Sequence, residues 1–105
     1  MSRGKLLRGY LLQFLRRVYP HGIYAQDIID VFKHDFHIRT IMANIVYLVE
    51  KGYVAEEEKS HPAYRTRKVI IYRLTPKGVD LVEQTINDDG VTFDEVDRLE
   101  EELEL

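Results

Sequence analysis

Ile38 to Leu74 reads IRTIMANIVYLVEKGYVAEEEKSHPAYRTRKVIIYRL. In its first third, Ile38, Ile41, Ile45 and Leu48 recur at three- and four-residue steps, the spacing that places side chains on one face of an α-helix. A helix over 38–51 is therefore predicted, and Gly52 stands where a left-handed cap residue would end it. Away from the apolar face, at about 100° per residue, lie Arg39, Thr40, Ala43 and Tyr47, with Asn44 on the flank. The run from Tyr53 to Lys59, the turn-like Ser60, His61, Pro62 and Ala63, and the Val-, Ile- and Tyr-rich run from Lys68 to Leu74 predict a β-hairpin. Its loop is too long for a two-residue turn, and it carries Tyr64, Arg65, Thr66, Arg67 and Lys68 near its far end. A helix feeding a hairpin with a long basic loop is the pattern that decides the architecture.

The flanking chain supplies the rest of a small domain. Leu7, Tyr10, Leu11, Phe14, Leu15 and Val18 form a helical stripe, ended by Pro20 and Gly22. Its other side carries Lys5, Arg8 and Arg16. After a brief extended pair, Ile23 and Tyr24, a short helix from Ala25 to about Lys33 turns Ile28, Ile29 and Phe32 inward. His34 to His37 is then a connection of the length found between two steeply crossing helices. Beyond the hairpin, Thr75 and Pro76 read as an N-cap followed by proline at the first helical position, with a helix to about Asn87 on Val79, Val82 and Ile86. Thr92 with Glu95 forms a capping box that opens a last amphipathic helix. The expectation is an α+β, mostly helical domain over 1–90 with an acidic amphipathic tail over 91–105.

With 105 residues, 45% apolar and 31% charged, the chain is sized for one soluble core. It has no cysteine, which excludes a disulfide framework, a thiolate metal site and a cysteine nucleophile. No run is long enough to span a bilayer and the first residues lack a signal-peptide core, so a cytoplasmic protein without a membrane partner is expected. The net charge of -3 conceals a division. Through Gly78, fourteen Lys and Arg stand against seven Asp and Glu; beyond it Arg98 alone faces eleven acids. A basic body with an acidic tail suits a molecule of which one part meets a polyanion.

The order helix, short strand, helix, helix, strand, loop, strand, helix resembles the winged-helix (winged helix-turn-helix) transcription regulators of the PadR and MarR type. The wording is similar too. GIYAQDI (Gly22–Ile28) looks like the entry to their second helix, YLVEKGYVAEEE (Tyr47–Glu58) like the exit of their recognition helix into the first wing strand, and YRLTPKGVDLV (Tyr72–Val82) like the return strand entering the next helix. The resemblance covers roughly residues 6–86. It implies a sequence-specific or semi-specific duplex-DNA-binding regulator without a cofactor, its third helix in the major groove and its wing on phosphates or the minor groove. By position it directs Arg39, Thr40, Ala43, Asn44 and Tyr47 toward bases and backbone, and places His61, Tyr64, Arg65, Arg67 and Lys68 on the wing. Arginine can fork onto guanine and asparagine onto adenine, while wing cations gain affinity by counterion release without reading sequence. This helix face has one cation, Arg39, and an acid, Glu50, near its end, which points to modest base reading.

Plainer readings stand beside these. Charged outer faces are normal on helices, and Tyr47 and Tyr64 could be packed rims. Cations gathered at a hairpin tip repel one another and do not help it fold, which favours a functional role there. His34, Asp35 and His37 lie close together but lack the further ligands of a metal site. There is no Gly-rich phosphate loop and no Ser/His/acid pattern, so an enzyme is not expected. Because a fold does not fix an activity, a protein-interaction module that does not bind DNA is the alternative, with Glu56, Glu57 and Glu58 in its favour. A homodimer is expected from Leu12 and Leu81, which fall off the predicted stripes, together with Phe93, Val96, Leu99 and Leu103 of the tail.

Overall fold

The computed structural model describes residues 3–93 of the chain, an α+β arrangement of helices against a three-stranded antiparallel sheet. Helix α1 (Arg3–Arg16) is followed by strand β1 (Ile23–Tyr24), helix α2 (Ala25–Phe32) and helix α3 (Ile38–Glu50). Strands β2 (Val54–Ser60) and β3 (Lys68–Leu74) form the hairpin, and α4 (Pro76–Val82) follows. The sheet order is β1-β3-β2, with Ile23 opposite Tyr72 on one side of β3 and Val54 opposite Leu74 on the other. Among the described residues no helix is long and apolar enough to cross a membrane.

The core joins α1, α2, α3, the sheet and α4 through Leu7, Leu11, Leu15, Ile28, Ile41, Ile45, Leu48, Leu74 and their neighbours. Phe14 meets Phe32 edge to face, ring centres 5.7 Å apart, which pins α1 to α2. Helix α1 touches α3, α4 and β3, so it is covered on more than one side. That corrects two sequence expectations. Leu12, assigned to a dimer seam because it falls outside the predicted stripe, is fully buried (0% exposed) in the monomer's own core. Leu81, assigned there for the same reason, is buried with Val82. The helical wheel gives the phase of a stripe but not how many neighbours cover it, and each of these leucines has found one within its own chain.

Helix α4 also ends earlier than the expected limit near Asn87. Glu83 caps it, and Gln84 takes a left-handed conformation (φ 63°) that no helix continues. The chain then returns toward α1. Val91 enters the core, Phe93 lies against it, and the Thr92 N–H donates to the Lys5 carbonyl at 3.0 Å. The Thr92 carbonyl comes so close to Gly9 that a Cβ there would collide with it. The body thus continues past Gly90 to Phe93. Of the expected last helix, Val96, Leu99 and Leu103 lie outside the described residues.

Candidate functional site

Helix α3 is held at both ends. At its start the Arg39 N–H donates to Nδ1 of His37, 3.1 Å away, which satisfies one of the free amides of the first turn. At its end the Lys51 N–H bonds the Tyr47 carbonyl, and Gly52, at φ 82°, turns the chain into β2. The helix is therefore joined to the hairpin through Lys51–Tyr53. One side of α3, with Ile41, Asn44, Ile45 and Leu48, is buried. The exposed positions are Ile38, Arg39, Thr40, Ala43, Val46 and Glu50.

Of the five residues directed outward on this helix, Arg39, Thr40 and Ala43 are exposed. Asn44 is not: it is only 7% exposed, its Oδ1 accepts from Arg8 Nε at 2.8 Å, and its Nδ2 donates to the Thr40 carbonyl at 2.8 Å. Its amide is thus occupied inside the molecule, which corrects its assignment to the base-reading face. Tyr47 is half-buried, with the Arg8 guanidinium 3.7 Å above its ring. The same guanidinium donates to the Gly90 carbonyl at 2.9 Å. Arg8, assigned to the outer face of α1, instead ties α1, α3 and the returning chain together.

Two apolar positions depart from the predicted wheel. Ile38, placed on the buried stripe, is 49% exposed, because the first turn of α3 precedes the point where the helix meets the core. Val46 is 45% exposed and lies between Ala43 and Glu50 on the outward stripe, a position missing from the outer face predicted above. Steps of i, i+4, i+7 and i+11 from Arg39 lead to it. The outward stripe is Arg39, Ala43, Val46 and Glu50: one cation, two small apolar side chains and one anion.

Residues 61–67 connect β2 to β3. The His61 N–H donates to the Arg67 carbonyl at 2.8 Å, and the Arg67 N–H to the Tyr64 carbonyl at 3.0 Å. Nδ1 of His61 accepts from the backbone N–H groups of Ala63 at 3.0 Å and Tyr64 at 3.3 Å. Tyr64 is 56% exposed, with the His61 ring centre 5.2 Å away and the Arg67 guanidinium 5.1 Å from its ring. Arg65, Arg67 and Lys68 are all exposed. The folded loop presents two cations and a tyrosine ring to solvent, and Lys68 adds a third cation at the first position of β3.

Behind the α3–β2 junction, Asp88 accepts from the Tyr53 hydroxyl at 2.5 Å and from the Gly90 N–H at 2.7 Å, and pairs with Lys51 at 3.2 Å. The Tyr53 bond is the largest of the influences that hold the Asp88 carboxyl below the ordinary carboxylate value, against an opposing push from its burial. Burial first, and Asp88 second, push the Tyr53 hydroxyl up to about 12, so it stays a donor. Compared with family models, with curated proteins and with solved structures, the chain finds no significant match.

Proposed function

We propose that this chain is a winged-helix protein that binds duplex DNA as a transcriptional regulator, with α3 in the major groove and the β2–β3 hairpin as the wing. The observation that carries the reading is the hairpin tip, where Arg65 and Arg67 are exposed on a loop folded by its own backbone bonds and Lys68 is exposed at the start of β3. Arg67 has the Tyr64 ring beside it, but like charges gathered there repel one another, whereas on a phosphate backbone each would release counterions. The outward stripe of α3 adds a chemistry suited to base edges: a guanidinium that can fork onto guanine, and the methyl groups of Ala43 and Val46 that can meet thymine methyls. This is a binding role, and no catalytic step is part of it.

The test is the double substitution Arg65→Ala/Arg67→Ala, assayed on a preferred and a scrambled duplex at two salt concentrations. Affinity is expected to fall about equally for both duplexes, and the slope of log affinity against log salt to shrink by roughly one for each phosphate no longer neutralised. Unchanged binding at low salt would favour the second reading, a protein-interaction module. The observation on that side is the exposure of Ile38 and Val46 on α3, together with the solvent-facing Glu56, Glu57 and Glu58 on β2. A homodimer stays within the proposal on the tail residues alone, since Leu12 and Leu81 are withdrawn from its seam; light scattering that returns a 12.4 kDa particle would remove it.

A further inference from the structure

Two of the four histidines use the same nitrogen in the same way, at two surfaces assigned to DNA. Nδ1 of His37 accepts the Arg39 N–H at the first turn of α3, and Nδ1 of His61 accepts the Ala63 and Tyr64 N–H groups at the hairpin tip. A neutral imidazole has one donor and one acceptor nitrogen, so a backbone N–H on Nδ1 requires the ring proton to sit on Nε2. An imidazolium carries N–H on both nitrogens. Its Nδ1–H would then face the Arg39 N–H across 3.1 Å, two donors head to head, and its charge would sit at the positive end of the helix dipole. At the tip, one lone pair serves two N–H groups and would be lost to both.

We propose that His37 and His61 are positioning residues that act only as neutral imidazoles, so that acidification releases the first turn of α3 and the hairpin tip together. As a statement about DNA binding this rests on the reading above. His37 orders the turn that carries Arg39 and Thr40, and His61 orders the turn that carries Tyr64, over whose ring Arg67 lies. The charged and titratable groups around His37 are Lys33, His34, Asp35 and Arg39 on its own stretch of chain and, from α1, Arg3, which bonds the Asp35 carbonyl at 2.8 Å. Beside His61 along the hairpin stand Glu57, paired with Lys59, and Glu58 on β2, Tyr64, 5.2 Å from its ring, with Arg67 against it, Arg65 in the connection, and Lys68 on β3. Protonation of Nδ1 turns an acceptor into a donor, so acidification is the perturbation that would undo both contacts.

The direction of the effect is diagnostic. A histidine that simply faces phosphate gains a charge on acidification and tightens DNA binding, whereas one that shapes the interface as an acceptor loosens it. With the full chain, a random-sequence duplex and constant ionic strength, affinity is expected to be roughly tenfold weaker at about pH 5.5 than at about pH 8, if each cap is worth the usual amount. His37→Asn and His61→Asn, whose amide oxygen accepts at either pH, should each remove part of this ratio, and the double variant should remove nearly all of it. Tighter wild-type binding at the lower pH, or an undiminished ratio in the double variant, would overturn the proposal.

A second arm uses the free wild-type protein and so does not depend on DNA. Ring-nitrogen chemical shifts should show Nδ1 of His37 and His61 unprotonated at about pH 8. Protection of the Arg39, Ala63 and Tyr64 amides from exchange should be present while Nδ1 is unprotonated and lost once it carries a proton. His21 and His34, whose rings have no hydrogen-bond partner among the described residues, serve as controls. If no duplex binds at either pH, the DNA reading fails, and the ring-nitrogen result still decides whether the two imidazoles hold these turns.

Discussion

Arg8 makes three interactions with one side chain: a bond to Asn44, a bond to the Gly90 carbonyl and a cation–π interaction with Tyr47. Removing it leaves the buried Asn44 Oδ1 without its donor, which is the expensive half of breaking a hydrogen bond. Arg8→Ala should therefore destabilise the fold by about 2 to 3 kcal/mol, read as a lowered midpoint in urea. A change within a few tenths would show that Arg8 is only a surface cation. Asp88 and the tyrosines give the pH limits of stability. A carboxyl held low in the folded state adds stability above its unfolded value, and this is lost as pH falls through the folded one. Asp88→Asn is accordingly expected to flatten the acid limb of the stability curve. At the other end Tyr53 is raised to about 12 by burial and then Asp88, and Tyr72 to about 12 by burial and then Glu56. Their contribution is complete below the ordinary tyrosine value near 10 and lost by about 12, so thermal melts should collapse across that interval. Equal melting temperatures on its two sides would contradict this.

Among the elements, α4 has a start legible in two letters and an end that is not. The Thr75 hydroxyl accepts from the Gly78 N–H at 3.1 Å and donates to the Gly52 carbonyl at 2.6 Å, so the cap also ties α4 to the turn between α3 and β2. Thr75→Ala should lower stability by about 1 to 2 kcal/mol, and Thr75→Ser should recover most of it. Hydrogen exchange at the Gly78 amide would check that the loss is local to this end. The hairpin was legible as two strands and a basic loop, because its apolar runs and turn residues are local signals. Its tip was not, since bonds from His61 Nδ1 to two backbone amides arise from a loop conformation that no periodicity announces. At the entry to α3, Arg39→Ala is expected to flatten base preference at one or two positions, at about 1 to 3 kcal/mol on the best duplex if its guanidinium forks onto guanine. Equal losses on preferred and scrambled duplexes would reduce it to a phosphate ligand.

For the molecule as a whole, the segment after α4 joins the two ends of the described chain. Val91 fills the core, Thr92 bonds Lys5, and Gly9 is the only residue type that leaves room for the Thr92 carbonyl against α1. Gly9→Ala forces the two backbones apart. It would raise helix propensity in an isolated α1, yet it should lower the stability of this protein by roughly 1 to 3 kcal/mol and expose the Thr92 amide to exchange. A stabilised variant would mean that the returning segment does not sit on α1.

The sequence alone determined what depends on near neighbours along the chain. Helical stripes, the caps at Thr75 and Gly52, the two long strands and the division between a basic body and an acidic tail all follow from spacing, turn chemistry and charge. Tertiary structure decided how many sides of each helix are covered, and from that several assignments changed. Leu12 and Leu81 became core because α1 and α4 meet neighbours off their predicted stripes. Asn44 turned inward because Arg8 reaches it from α1, while Ile38 and Val46 were left in solvent. A helical wheel fixes angles within one element; which angles meet protein and which meet water is set by elements distant in sequence, through packing that no local pattern contains.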